Sequence, residues 1–147
     1  MDAQARWMFQ GNEVTHDGVL AYFKANLYLE NEVYFILNRH GENLEKAVLD
    51  SVLNFPLFAV SLASGAAGVL ALILDTHEQI QIQQKDLLFF GENTLFFFHP
   101  ERGVPIRLRA SAMTHAMNEV DEVNGGYRWR SGDRVSIFSG TLFEYPE

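Results

Sequence analysis

Two pairs of arginines, Arg107 with Arg109 and Arg128 with Arg130, carry the chemistry that is easiest to read from this chain. Each pair is separated by one residue, so in an extended strand its two side chains point to the same face. A guanidinium is planar, permanently charged and presents paired donors, which suits a carboxylate or a phosphate. Six of the 11 basic residues lie between Arg102 and Arg134, and all six are arginine. If the two faces converge, Arg107, Arg109, Arg128 and Arg130 surround one anion, with Tyr127 and Trp129 packing on the far side of their strand. Arg109 also stands just ahead of Ser111, the expected N-cap of a helix whose amino end would add partial positive charge and unpaired N–H donors. The competing fate is pairing at the surface with Glu119, Asp121, Glu122 and Asp133, where each pair contributes about 0 to 1 kcal/mol.

Other reactive side chains do not assemble into a motif. His40-Gly41-Glu42 has the H-x-E spacing that begins a zinc deaminase site, but that site needs a downstream cysteine pair and the chain has no cysteine. His77-Glu78 beside Asp75, and His99-Pro100-Glu101, each offer two ligands without the helical i, i+4 spacing or third histidine of a metal site. They read as solvated turns. His115, between Met113 and Met117, has no nucleophile near it in sequence, and there is no G-x-S-x-G elbow. Gly65-Ala66-Ala67-Gly68 lacks the lysine of a phosphate loop and reads as a turn. The two methionines read as core filling. No catalytic residue, metal or cofactor is expected, and an enzyme is the least favoured reading.

Charge narrows the partners further. The formal net charge is −8, and residues 1–99 hold five basic and twelve acidic side chains against six and seven in residues 100–147. An acidic field repels phosphate backbones, so nucleic acid is not an expected partner. Ser51 to Leu74 carries no charge, long enough to cross a bilayer, but Asn54, Pro56 and the Gly65–Gly68 turn divide it into two buried strands. No basic-then-apolar leader opens the chain, so the expected location is the cytoplasm and no membrane contact is expected.

The elements that must hold the arginines follow from periodicity. Arg6 to Gln10 and Glu13-Val14 read as a hairpin across Gly11-Asn12. Thr15 reads as the N-cap of a helix whose Val19, Leu20, Phe23 and Leu27 form one face. Strands are expected over 33–37, 44–53, 57–63, 69–74 and 79–83. Leu87 to Phe90 and Leu95 to Phe98 are apolar at every position, which requires both faces to be covered, in the core or at a homodimer face. Val104 to Arg109 alternates, and a second helix from Ser111 carries Met113, Met117 and Val120 on one face. Asn124-Gly125-Gly126 reads as its C-cap. Strands at 127–130 and 135–138 complete the chain. Helices set apart from a run of antiparallel strands make an α+β protein, β-rich, with two similar halves each holding one helix packed on a sheet. At 147 residues it should form a single compact unit, with halves at 1–64 and 65–147.

Trp7, Phe9, Gly11, Val14, Phe23 and Leu27 follow the pattern W-x-[FY]-x-G-x-x-[IV], then an eight-residue interval to F-x-x-x-L. This opening resembles the bacterial domain-of-unknown-function family 1285. Further pieces match in order: Val33 to Leu37, Glu45-Lys46, Pro56, Arg109 before the second helix, and Phe138-Ser139-Gly140 with Phe143. The middle departs from the family pattern, with Asp75-Thr76-His77-Glu78 where members carry an Asn-x-Gly-[DE] turn. The resemblance implies a two-part α+β fold, a role in ligand binding or signalling, and no established enzyme activity. The expected function is a non-catalytic module for a small anionic or amphipathic ligand. The alternative is a protein-interaction or homodimerising module that uses the Leu87 to Phe98 hairpin.

Overall fold

The computed structural model describes residue 1 and residues 4–91, 93–130 and 132–143. It is an α+β protein, strand-rich, whose residues fall into two compact units. Among the described residues, one comprises those of Met1–Pro56, His99–Pro105 and 141–143; the other comprises those of Leu57–Phe98 and Ile106–Gly140. Ser64 and Gly65, the expected junction of the halves, both lie inside the second unit.

In the first unit β1 (Met8–Phe9) and β2 (Asn12–Glu13) form the expected hairpin. Its two turn residues are Gln10 and Gly11, at φ 51° and 81°, one position earlier than the Gly-Asn pair suggested. Helix α1 (Asp17–Ala25) is capped by His16, not Thr15: the His16 Nδ1 accepts from the Val19 N–H at 3.2 Å. Asp17 lies in the first turn, where a negative charge is favourable. Phe23 on this helix meets the buried Trp7, ring centroids 5.8 Å apart. Leu27 belongs to the next element, β3 (Leu27–Glu30), which pairs with β4 (Val33–His40) and through it with β5 (Asn43–Val48). The 99–105 segment closes the carbonyl end of α1. The buried Arg102 donates from Nη1 to the carbonyls of Lys24 and Ala25, satisfying acceptors that a helix end otherwise leaves open.

The second unit is built on a seven-stranded sheet. Its members are β6 (Leu57–Ser64), β7 (Val69–Leu74), β8 (Gln79–Gln83), β9 (Leu88–Phe90), β10 (Thr94–Phe98), β11 (Pro105–Leu108) and, at the far end of the chain, the two-residue strand Ser136–Ile137. Between β11 and that last strand lie α2 (Ala110–Asn118), β12 (Val120–Val123) and β13 (Gly126–Trp129), so the last strand is β14. The order across the sheet is β14-β9-β10-β11-β6-β7-β8. Antiparallel pairs link β6 to β7, β7 to β8 and β9 to β10, while β6–β11 and β9–β14 are parallel. The uncharged stretch thus forms β6 and β7, as expected, and no helix among the described residues is long and apolar enough to cross a membrane.

The hairpin of β9 and β10 sits inside this sheet, with Leu87, Phe89, Leu95, Phe96 and Phe97 all buried. Phe96 meets Phe90, Phe98 and Phe138 edge-on at centroid distances of 6.0, 5.3 and 5.4 Å. Phe89, Phe96 and Phe97 are therefore core, as the apolar run requires, while Leu88, Phe90 and Phe98 are half-buried.

Helix α1 begins one residue later than its sequence suggests, whereas helix α2 begins and ends earlier. Arg109 occupies the N-cap position, and Ser111, inside the helix, donates its hydroxyl to the Val60 carbonyl at 2.9 Å. Ala112 and Ala116 are its buried residues, small enough to let the helix lie close against β6. Val120 opens β12, and Asn124-Gly125 forms the turn to β13 instead of a helix cap, at φ 41° and 83°. Both readings of Asn-Gly use the same property, tolerance of positive φ. The two units share this local plan: helix, one linking residue (Asn26 or Glu119), then a hairpin closed by two positive-φ residues, Asn31-Glu32 in one and Asn124-Gly125 in the other.

Candidate functional site

The β12–β13 hairpin is in register Val120↔Trp129, Asp121↔Arg128 and Val123↔Gly126. Past β13 the chain turns back: the Gly132 N–H donates to the Trp129 carbonyl at 3.0 Å and the Trp129 N–H to the Asp133 carbonyl at 3.1 Å. That turn brings Arg134 opposite Arg128 in an antiparallel bridge. Two arginines are thereby placed side by side on the outer edge of one ribbon.

They line one open cavity of about 560 Å³ together with Val123, Asn124, Gly132 and Asp133. Each guanidinium is held by a backbone carbonyl: Arg128 Nε donates to Gly132 at 3.0 Å, and Arg134 Nη2 donates to Val123 at 2.9 Å. One donor of each is used in this way, which fixes the fork and leaves the other N–H groups for a ligand or water. Neither arginine forms an ion pair among the described residues, although Asp133 lies on the same wall. The arrangement is a preset pair of cationic donors in an open, polar cleft.

The four arginines singled out by alternation do not gather here. Only Arg128 lines the cavity. Arg109 lies at the amino end of α2, its guanidinium carbon 3.9 Å from the centroid of the Phe58 ring, a cation–π contact. Arg107, on β11, is exposed and paired in register with Phe58. Arg130 is at the opposite end of α2, where its Nη2 donates to the Asn118 carbonyl at 3.0 Å and approaches Asp121 at 3.5 Å. A nine-residue helix separates Arg109 from Arg130, about 13 Å at 1.5 Å per residue. The four guanidinium groups therefore do not surround one anion, and the Arg130–Asp121 contact is the surface pairing that competed with that arrangement.

Arg134, Asn124 and Asp133 are lining residues that alternation did not select as ligands. A signal for Arg134 was present: with Ser131-Gly132-Asp133 taken as a tight turn, the strand returning after it puts residue 134 against residue 128. Counting i, i+2 pairs within single strands misses a pair made across a turn.

No protein-family model matches the chain, and no curated protein matches it. Solved structures do: a DUF1285 family protein from Silicibacter pomeroyi DSS-3 aligns with a TM-score of 0.63 and 15% identity, over 90% of this chain and 74% of that one. A DUF1285 family protein from Shewanella baltica OS155 aligns with a TM-score of 0.56 and 17% identity, over 81% of this chain and 89% of that one. The resemblance carried by Trp7 to Leu27 thus extends to the fold across most of the chain.

Proposed function

We propose that this protein is a non-catalytic binding or signalling module that holds a small anionic ligand at Arg128 and Arg134. One observation carries the reading: two guanidinium groups, each anchored to a backbone carbonyl and neither ion-paired among the described residues, line the same cavity. Burying unpaired charge is costly and leaving it idle at the surface gains nothing, but two preset forks bind a carboxylate or phosphate with little ordering cost. The described lining offers two cations, an amide and the Asp133 carboxylate, with no nucleophile set beside a base, which favours binding over turnover.

A thermal-shift series tests it, using inorganic phosphate, citrate and succinate at constant ionic strength. A ligand that binds the native state raises the melting temperature with its concentration. Wild type and Arg109→Ala should respond alike, and Arg134→Ala should lose the response. A response lost in Arg109→Ala and kept in Arg134→Ala would move the ligand to the amino end of α2 and overturn the assignment.

A further inference from the structure

We infer that the ligand class of this cleft is a small zwitterion of the amino-acid type, its carboxylate on Arg128 and Arg134 and its ammonium on Asp133. The inference rests on the binding reading above and goes on to specify what is bound. Its first ground is the separation of charge within one wall. Asp133 lines the cavity with both arginines, yet it is ion-paired with neither. Had the cleft served only as a surface salt bridge, a carboxylate and two guanidinium groups lining the same open cavity would be expected to pair. Cation and anion are instead presented apart, the complement of a molecule that carries both signs on neighbouring atoms. Asn124, on the same wall, adds an amide that can donate to the carboxylate or accept from the ammonium.

The second ground is the field of the whole chain. At a net charge of −8, a zwitterion, neutral overall, meets the long-range field only as a dipole and approaches more readily than an anion bearing the same carboxylate, which the two arginines would still hold. The third is size. A cavity of about 560 Å³ is far larger than a phosphate or a carboxylate group requires, and leaves room for an amino-acid side chain beside Val123 and Gly132.

The experiment pairs each amino acid with the same molecule lacking its amine: L-leucine with 4-methylpentanoate, and L-glutamate with glutarate. Calorimetry and ligand-observed NMR on the full chain, at fixed ionic strength, give the two affinities. At least one amino acid should bind about tenfold more tightly than its partner, the scale of one added charge-assisted hydrogen bond. Asp133→Asn should erase that ratio while the plain carboxylate binds as well or better, and Arg134→Ala should weaken both. Amide spectra of each variant confirm that it is folded. Equal affinity for both members of each pair, unchanged by Asp133→Asn, overturns the zwitterion and leaves the anion-binding reading standing. Absence of binding by all four compounds and by the phosphate and organic acids above overturns both.

Discussion

Tyr34 shows how a single residue of this protein links burial to pH. Its hydroxyl is buried without a hydrogen-bond partner among the described residues, and burial pushes the phenol well above its ordinary value of 10.0. The unfolded chain ionises near that value while the folded chain keeps the proton, so above pH 10 the folded state binds more protons than the unfolded one. Stability contributed by the neutral phenol is therefore complete below pH 10 and falls as the pH rises beyond it. Tyr34→Phe should flatten that alkaline decline in a urea-unfolding series. Below pH 9 it should cost nothing or add about 1 kcal/mol, since it deletes an unsatisfied group and keeps the ring. An alkaline slope identical to wild type would show that Tyr34 is not its source. Trp7 is the opposite case: the indole is buried against Phe23, and Trp7→Ala should cost about 3 to 5 kcal/mol. A melting temperature within a degree or two of wild type would place the ring outside the core.

At the scale of elements, both helices end two residues before their apolar pattern does. Leu27 and Val120 continue the helical spacing and are buried, yet each opens a strand. The pattern persists because the strand turns the same side chain toward the same core, so periodicity alone cannot mark where the helix stops. Strands with an unambiguous signal, such as Gln79–Gln83 with its strict alternation, are where the sequence places them. The arginine cleft was half legible for a related reason: Arg128 follows from alternation along one strand, whereas Arg134 requires knowing how the chain turns at 130–133. Gly103 marks another non-local constraint. It holds φ +73°, and a Cβ there would lie 2.7 Å from the Leu29 carbonyl oxygen. The same loop delivers Arg102 to the end of α1. Gly103→Ala should therefore destabilise the protein by about 3 kcal/mol or more through backbone strain and displacement of that cap. Denaturant unfolding measures it, and a loss under 1 kcal/mol would mean that the loop shifts freely.

For the whole molecule, the informative feature is how often the chain changes unit. It leaves the first after Pro56, returns for His99–Pro105, leaves again, and returns at Thr141. Neither unit is a continuous segment, so a cut chosen by sequence position divides elements that belong together. Cutting between Ser64 and Gly65 removes β6 from the sheet it helps to centre. That strand pairs with β7 on one side and β11 on the other, and its Ala59 and Val60 carbonyls accept from the Arg109 N–H and the Ser111 hydroxyl at the start of α2. A fragment of residues 65–147 would expose the edges of β7 and β11 and the buried face of Ala112 and Ala116, a strong invitation to aggregate. A fragment of residues 57–140 keeps all seven strands together with α2. Expressed separately, 57–140 should give the more dispersed amide spectrum and the more cooperative melt, while 65–147 should be unfolded or insoluble. Equal folding of the two would show that β6 is dispensable and that the arginine cleft rests on β12 and β13 alone.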